Sequence, residues 1–464
     1  VKPKEDIAII GMAARLPMAN NVDEYWDNIR RGLDCVGKFP EARKKDIDRY
    51  LRFLNTDEGD IKYIDGAYLS RIDDFDYKFF KISPKEASLM DPFQRIFMQA
   101  VWEALEDSGY GGEKLIGSNT GIYVGYASNP KDCYNQLVFN VDPSLINTSL
   151  FGNITALMPT RISYFLDFKG PTMVVDTACS SSLVSVHLAC QGIRNGDCDI
   201  AIAGGVRVNL IPQDIDYYRL GIESSDDRAR TFDDSSDGTG MGEGIAAIIL
   251  KPLSKALKDR DNIYAVIKGS AINQDGKSIG ITAPNPASQA DVITKAWEMA
   301  GIDPEAISYI EVHGTGTSLG DPIEIDGLQR AFRRYTDKKQ FCAIGSTKTN
   351  VGHLYECSGL AGLIKVVMML KNKEIPAHLH LNLPNRKINF EDSPVYINDS
   401  LIKWESIGDS RICGISSFGF SGTNSHLVLE EACEQENSHN CEKDDLLVLT
   451  ISAKSRESLE DYIE

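Results

Sequence analysis

The sequence predicts an α/β fold, because short apolar segments typical of strands alternate with segments of helical periodicity along most of its 464 residues. An apolar fraction of 42% and a charged fraction of 25% are ordinary for a globular protein with a sizeable core. Strands are predicted at Asp6–Ile10, Thr172–Asp176, Ile200–Ala203, Ile245–Leu250, Tyr264–Lys268, Ser308–Val312 and His426–Glu430. Helices are predicted to follow Ser88, Ser180, Pro286, Pro322 and Ser358.

The composition excludes several classes of function. A formal net charge of −18 argues against general nucleic-acid binding, which needs clustered Lys and Arg. The ten cysteines include no CxxC pair and no Cys/His cluster has zinc spacing, so no metal site is predicted; His378 and His380 are expected to be solvated. The sequence has neither a signal peptide nor an apolar run of about 18 residues. We therefore expect a cytoplasmic protein with free thiols and no membrane contact.

The two ends of the chain indicate a piece of a longer polypeptide. The first residue is Val1 rather than Met, and the acidic, polar segment at 433–445 indicates a linker. We expect one catalytic unit at 1–430, followed at 431–464 by a linker and the start of another unit.

Cys179 lies where the β-branched strand Thr172–Asp176 leads into a Ser-rich turn and then an apolar helix. At a helix start, unpaired N–H groups and the positive end of the helix dipole stabilise a thiolate. The pattern therefore indicates a nucleophile, although it leaves open a buried structural cysteine at a tight turn. Cys190 lies well inside the same predicted helix and is expected to be a core residue.

Two histidines also follow predicted strands. His313 precedes a loop of Gly and Thr residues, where small side chains let a ligand approach the backbone and the hydroxyls of Thr315 and Thr317 can bond it. Lys348 and His353 lie in a polar loop between another strand and an apolar helix. A structural histidine and a solvated lysine remain the alternatives for each motif alone. One cysteine and two histidines at strand ends together predict a single α/β active site.

The three motifs, in this order, resemble the Cys–His–His signature of β-ketoacyl synthases. They read Asp176-Thr-Ala-Cys-Ser-Ser-Ser, His313-Gly-Thr-Gly-Thr and Lys348-Thr-Asn-Val-Gly-His. Segments at Asp6–Pro17, Asp91–Arg95, Asp199–Gly205, Thr231–Asp234 and Gly414–Asn424 also match the family. The likeness covers about residues 6–430 and most resembles a ketosynthase of a modular type I polyketide synthase, and the tail resembles the linker that follows such domains.

The resemblance implies a thiolase-like fold of two similar α/β halves, at about 1–260 and 261–430, layered α-β-α-β-α. It implies that the chain is a domain of a larger multienzyme and that two copies of it form a homodimer. Its partners would be acyl carrier proteins, whose phosphopantetheine arm carries the substrates. The enzyme itself would need no metal, nucleotide or other cofactor.

The reaction implied by the resemblance is a decarboxylative Claisen condensation with malonyl or substituted malonyl carrier protein. Cys179 would hold the acyl chain, and the backbone N–H groups of Cys179 and Phe420 would form the oxyanion hole. His313 and His353 would hydrogen-bond the malonyl thioester carbonyl as CO2 leaves, with Lys348 in the same catalytic set. The implied substrate-binding residues are Thr315, Thr317, Thr282, Asn350 and Phe420.

Two positions depart from the family pattern. Relatives often carry Glu or Gln two residues after the second histidine, where this chain has Tyr355 with Glu356 beside it. Lys348 is therefore expected to lack its usual carboxylate partner. The loop that usually reads Gly-Phe-Gly-Gly has Ser421 in its third position.

Other functions fit the sequence less well. A non-elongating ketosynthase would pass the acyl chain on without condensation, but relatives of that kind typically lack one of the two histidines. A structural chain-length partner would lack Cys179. A thiolase acting on coenzyme A fits the His313 loop less well than a synthase does.

Overall fold

The structure is a computed structural model that describes residues 5–54, 62–127, 134–212, 221–433, 450–453 and 455–463. Its strands are β1 Ile7–Arg15, β2 Thr120–Gly125, β3 Thr172–Val175, β4 Ile200–Arg207, β5 Gly244–Pro252, β6 Ala265–Gln274, β7 Ile307–Glu311, β8 Cys342–Gly345, β9 Glu374–Ile375, β10 Val395–Ile397, β11 Ile402–Lys403, β12 Ile412–Phe418 and β13 Thr423–Glu431. Its α-helices are α1 Val22–Arg30, α2 Glu41–Phe53, α3 Pro84–Leu89, α4 Pro92–Asp107, α5 Tyr134–Val141, α6 Ile146–Gly152, α7 Leu157–Leu166, α8 Ser181–Asn195, α9 Leu253–Asp259, α10 Pro286–Ala300, α11 Gly320–Phe332, α12 Lys348–Val351, α13 Ser358–Asn372 and α14 Arg456–Ile463. Single 3₁₀ turns lie at Pro143–Leu145, Pro304–Ala306 and Tyr355–Cys357.

The predicted strands and helices are confirmed to within a few residues at most ends. The helix expected after Ser88 begins later, at Pro92, because Asp91 caps it: the carboxylate accepts the N–H of Phe93 at 3.0 Å. Proline is also favourable at the first helical position, where no N–H is needed. β2 and β12 were not predicted, since glycine and serine residues interrupt their apolar pattern.

The sheet shows an internal duplication that the sequence does not display. Its strand order is β10-β8-β7-β12-β13-β6-β1-β5-β4-β2-β3. From the central β1–β6 pair, β1-β5-β4-β2-β3 runs one way and β6-β13-β12-β7-β8 the other, with the same succession of antiparallel and parallel pairings. The two runs span residues 7–252 and 265–431, so the molecule has the two similar halves that were expected.

In the part of the chain that the structure describes, three apolar cores lie between the helical layers and the sheet. One core joins α4 and α7 to the outer face of the first half-sheet, and another joins α10 and α11 to the outer face of the second. The third surrounds α8 and α13, which are buried along most of their length and contact strands of both halves. The described residues therefore show the predicted α-β-α-β-α layering.

The duplication brings the chemical motifs to equivalent places. Cys179 follows β3 in the first half, and Lys348 follows β8, the corresponding strand of the second half. His313 follows β7, which is parallel to β8. Since the carboxyl ends of parallel strands share one edge of a sheet, the topology gathers loops that are far apart in the sequence.

Residues 432–464 form a second unit. Within it, α14 has no buried residue. Of the linker predicted at 433–445, residues 434–445 lie outside the described residues. Among the helices that the structure describes, none has the length and apolarity needed to cross a membrane.

Candidate active site

A strained turn presents Cys179 at the start of α8. Ala178 adopts the left-handed conformation, with φ of 55°, and Cys179 itself is only 6% exposed. The hydroxyl of Ser181 accepts the N–H of Thr177 at 2.9 Å and donates to the carbonyl of Ala178 at 2.6 Å, so it braces the turn from inside. The thiol is therefore held in one place at the beginning of a buried helix.

The environment of Cys179 raises its pKa to about 11, through burial first and then the carboxyl of Glu356. Lys348, a hydrogen bond from the backbone of Phe420 and the charge of Arg207 act in the opposite direction but do not compensate. The expectation of a stabilised thiolate is thus wrong for the unacylated site, because burial outweighs the groups that favour the anion.

Two buried carboxylates shape the loop that follows His313. Glu324 accepts the backbone N–H of His313 at 2.6 Å and that of Gly314 at 2.7 Å. Asp321 accepts the N–H of Gly316 at 3.1 Å. Burial raises the pKa of both carboxyl groups to about 7. Sequence reasoning missed this pair, although acidic residues at a helix start after a Gly/Thr loop are a recognisable signal.

The His313 ring connects the motifs in space. Its centroid lies 5.6 Å from that of His353 and 5.9 Å from that of Phe418. Ser417, the residue before Phe418, donates its hydroxyl to the carbonyl of Cys179 at 3.0 Å. Nδ1 of His313 is buried and has no hydrogen-bond partner among the described residues. Burial, Lys348 and His353 hold the pKa of His313 well below its usual range, so the ring is neutral.

The hydrogen bonds around His353 define its tautomer. Nδ1 accepts the backbone N–H of Tyr355 at 3.2 Å and lies 2.8 Å from the hydroxyl of Ser358. A backbone N–H can only donate, so Nδ1 carries no proton and the proton of the neutral ring is on Nε2. Burial and the charges of Lys348 and Arg207 hold the pKa of His353 well below its usual range. This ring therefore supplies a neutral N–H donor.

Lys348 is buried at the first position of α12, and its ammonium donates to the carbonyl of His313 at 2.5 Å. Burial lowers its pKa, while the more distant carboxylates Glu311 and Glu324 raise it. Among the described residues no carboxylate lies within ion-pairing distance of Lys348, as expected from Tyr355. Glu356 pairs instead with Arg207, at 3.5 Å.

His378 was expected to be solvated, and that prediction is wrong. Its side chain is buried, with Nδ1 accepting the N–H of Ser346 at 3.3 Å and Nε2 donating to the carbonyl of Thr231 at 2.9 Å. The hydroxyls of Ser346 and Thr231 both donate to the carbonyl of Gly314, at 3.2 and 2.7 Å. His378 therefore supports the loop after His313 from behind, through contacts that only the folded chain creates.

The predicted substrate-binding residues are only partly brought together. The hydroxyls of Thr315 and Thr317 lie 3.1 Å apart on the loop after His313. Thr282 is exposed on another loop. Asn350 is buried, and its amide donates to the carbonyl of Leu33 at 3.1 Å. One of its two amide N–H donors therefore anchors the backbone at Leu33.

The loop between β12 and β13 brings Phe420 to Cys179. A Cβ added at Gly419 would lie 2.4 Å from the carbonyl oxygen of Thr177, so only glycine permits this approach. Gly422 closes the turn with φ of 85° and donates to the carbonyl of Gly419 at 2.8 Å. Phe420 stands at the tip, with its side chain 59% exposed.

Together these groups can perform acyl transfer to a thiol and stabilise charge on a thioester oxygen. The site combines a protected thiol, two neutral imidazoles and a buried ammonium. In the described ranges no group of three His, Cys, Asp or Glu side chains has the arrangement of a metal site.

Family comparison covers nearly the whole chain. Residues 4–256 match "Beta-ketoacyl synthase, N-terminal domain", residues 264–382 match "Beta-ketoacyl synthase, C-terminal domain", and residues 384–464 match "Ketoacyl-synthetase C-terminal extension".

The chain is also similar to polyketide synthases and to solved ketosynthase structures. The chain is 43% identical over its whole length to polyketide synthase PksL of Bacillus subtilis and 40% identical over 92% of its length to polyketide synthase ThaG of Burkholderia thailandensis. It spans only 10% of the former and 8% of the latter. The solved ketosynthase from module 6 of the bacillaene synthase of Bacillus subtilis shares 42% identity and a TM-score of 0.85, over 99% of this chain and 75% of that one. Ketosynthase twelve of the Bacillus amyloliquefaciens bacillaene synthase shares 36% identity and a TM-score of 0.87, over 98% and 79%.

Proposed function

This chain belongs to the β-ketoacyl synthase family, as a ketosynthase of the polyketide synthase type, and from that premise we propose that it extends acyl chains by decarboxylative Claisen condensation. The observation that carries the proposal is the neutral His353, with its proton on Nε2, 5.6 Å from the neutral ring of His313. Two neutral imidazoles beside a cysteine suit a step in which negative charge develops on a carbonyl oxygen.

The first step loads the acyl chain onto Cys179. The sulfur attacks the thioester carbonyl of an acyl carrier protein, the bond from that carbon to the pantetheine sulfur breaks, and the departing thiolate takes up the proton that Cys179 loses. The N–H groups of Cys179 and Phe420 donate to the oxyanion of the tetrahedral intermediate. Since the Cys179 pKa is about 11, the thiol is protonated at neutral pH, and loading requires its proton to move during the attack.

The second step forms the carbon–carbon bond. His313 and His353 donate to the malonyl thioester oxygen; the bond to the carboxylate breaks, CO2 leaves, and the electron pair remains as a thioester enolate. The enolate carbon attacks the acyl carbonyl on Cys179, and the thiolate leaves. The product is a β-ketoacyl carrier protein, and the thiolate regains a proton to complete the cycle. Lys348 acts by holding His313 in place, through the hydrogen bond from its ammonium to the His313 carbonyl, and not by donating a proton to the substrate.

The substrates are proposed to arrive on the phosphopantetheine arm of acyl carrier proteins, one bringing the acyl chain and one a malonyl or substituted malonyl group. Thr315 and Thr317 offer hydroxyls to that arm. Thr282 and Phe420 lie on exposed loops where an incoming arm would reach them. The chemistry asks no metal or nucleotide of the enzyme. The condensing unit is proposed to span 1–430, with 431–464 a flanking linker region.

A second copy of the chain is proposed to cover the outer edge of β3. β3 ends the sheet, and two exposed apolar side chains lie on it or on the contacting helix α7: Met173 of β3 is 39% and Tyr164 of α7 is 89% exposed. An open strand edge with apolar neighbours favours association. Light scattering of the purified chain should report a dimer, and Tyr164→Lys combined with Met173→Lys should shift it to a monomer. We further propose a cytoplasmic multienzyme, in keeping with the free thiols of the described cysteines.

The function is tested by mixing acyl-loaded enzyme with malonyl carrier protein and weighing the carrier by mass spectrometry. The wild type should release CO2 and yield the extended β-keto mass with at least one acyl group. Cys179→Ala should not load, whereas His353→Ala should load and fail to extend, with a loss of about 10²–10³ in rate. Transfer of the acyl group without extension, across a panel of acyl chains and malonyl carriers, would instead establish a non-elongating ketosynthase.

A further inference from the structure

The turn after His353 places Tyr355 in direct contact with the histidine ring. Tyr355 adopts φ of 43°, in the left-handed region, which lets its N–H turn back onto Nδ1 of His353 at 3.2 Å. Its own ring stacks on the imidazole, with 4.6 Å between centroids and 13° between planes. A left-handed conformation is costly for an aromatic residue, so surrounding contacts must hold it.

Arg207, the last residue of β4, supplies such contacts. Its guanidinium carbon lies 4.5 Å from the centre of the Tyr355 ring, within cation–π distance. Glu356 pairs with the same guanidinium at 3.5 Å, and the side chain of Asn209 accepts from it at 2.9 Å. The side chain is only 14% exposed, so it is fixed rather than solvated.

We propose that Tyr355 and Arg207 are positioning residues that keep His353 neutral, with the proton on Nε2 and available to the malonyl thioester oxygen. The inference rests on the proposed function for its substrate, but its statement about the ring concerns this chain alone. The backbone N–H of Tyr355 donates to Nδ1 of His353, and the Tyr355 ring stacks on the imidazole. Arg207 holds the Tyr355 ring in place, and its positive charge opposes protonation of His353.

The other charged and titratable groups around His353 act in known directions. Lys348 on α12 also opposes its protonation, and the ring of His313 faces it in the neutral state, 5.6 Å away. Glu356, on the same 3₁₀ turn, is paired with Arg207. Removing the Arg207 charge takes away one of the two cations that oppose protonation of His353, which raises its pKa, and it also leaves the buried Glu356 carboxyl without its partner.

The first test measures the ring itself, by ¹⁵N NMR of histidine-labelled protein, with His353 identified as the signal lost in His353→Gln. In the wild type, Nε2 should be protonated, Nδ1 unprotonated, and the ring neutral from about pH 6 to 8, where an ordinary imidazole titrates. Arg207→Gln should raise the His353 pKa toward that range, seen as an earlier onset of protonation when the titration is continued below pH 6. Arg330→Gln removes an exposed arginine that pairs with Asp326 and is the matched control for charge.

A second variant distinguishes a failure of Arg207→Gln to fold from an effect on the His353 pKa. Arg207→Gln with Glu356→Gln removes both members of the pair and leaves no unpartnered charge, and it should still raise the His353 pKa. Tyr355→Ala keeps the backbone N–H but removes the ring contacts that hold the left-handed turn, so this N–H should leave Nδ1 and a mixture of tautomers should appear. Tyr355→Phe, which keeps the ring, should restore the single tautomer.

The second test follows decarboxylation of malonyl carrier protein against pH. Tyr355→Ala should lower kcat by up to about 10²-fold with little change in KM, since a donor displaced by about 1 Å has that effect. Arg207→Gln should add an acidic limb to the profile. If Tyr355→Ala and the Arg207 variants leave both the tautomer and the pH profile unchanged, the proposal is wrong. If His353→Gln decarboxylates normally, the proposed function is wrong instead. The NMR measurement then still shows whether Tyr355 and Arg207 set the tautomer and charge of His353.

Discussion

Removal of the Glu324 carboxylate should destabilise the protein and uncouple acyl loading from condensation. The side chain is buried and accepts two backbone N–H groups, from His313 at 2.6 Å and Gly314 at 2.7 Å. In Glu324→Ala both donors lose their partner. An unpaired buried donor costs about 1–3 kcal/mol, so the pair costs about 2–6 kcal/mol. Because burying the carboxylate is itself unfavourable, we expect the lower half of that range, about 2–4 kcal/mol.

The substitution Glu324→Gln provides an intermediate. Its amide oxygen can accept one of the two N–H groups, while its NH2 group faces the other, so we expect about half the loss in the free energy of unfolding, about 1–2 kcal/mol. Asp326→Ala on the same helix is the control: Asp326 is half-exposed and pairs with Arg330, and such pairs contribute about 0.5 kcal/mol or less.

Two assays check the reasoning. Urea unfolding gives the loss of free energy for the three variants, and carrier mass spectrometry separates loading of Cys179 from decarboxylation. The displaced His313 should lower the decarboxylation rate by up to about 10²-fold while loading persists. Glu324 does not support the loop after His313 if Glu324→Ala is no less stable than Asp326→Ala, or if a destabilised variant decarboxylates at the wild-type rate.

Three further outcomes are expected. Burial raises the pKa of Glu324 from 4.5 to about 7, so the folded state binds this proton more tightly than the unfolded chain does. The resulting stabilisation is complete below about pH 4.5 and is lost as the pH rises through about 7. Urea titrations should therefore show the wild type losing free energy of unfolding relative to Glu324→Gln across that interval. Gly419→Ala should slow acylation of Cys179 by about 10²–10³-fold in a stopped mass-spectrometric time course, because the new methyl group displaces the loop that carries an oxyanion donor; a wild-type rate contradicts that role. Arg43→Met should lower the free energy of unfolding by about 3–5 kcal/mol in urea, since it strands the buried Glu243 carboxylate 2.6 Å away, and an unchanged midpoint would contradict the pairing.

Much of the fold was predictable because its strands and helices carry strong local patterns. β4 and β5 read as apolar runs, and α8 and α13 have the apolar content of buried helices. The two similar halves were expected from the family resemblance and not from the local patterns, since the duplication resides in which strands pair rather than in matching residues. Strand pairing depends on contacts between residues far apart in the chain, and a single sequence does not show them.

The site divides in the same way. Cys179, His313, Lys348 and His353 were recognisable because each lies in a short motif at the end of a strand. His378 was misjudged, since its partners Ser346 and Thr231 are distant in sequence. Such supporting residues have no local signature, because their role is defined by a hydrogen bond across the fold.

The types and order of the proposed reacting groups can be read from the sequence, since these residues occupy short contiguous motifs. Tertiary structure alone decided their chemical state. The Cys179 thiol has a pKa of about 11 rather than a lowered one, because burial and Glu356 disfavour its anion more than Lys348, the Phe420 backbone and Arg207 stabilise it. The proton of His353 is on Nε2 because the left-handed turn at Tyr355 directs a backbone N–H to Nδ1. Desolvation and hydrogen-bond direction depend on what surrounds a group in three dimensions, and for that reason no local pattern in the chain specifies them.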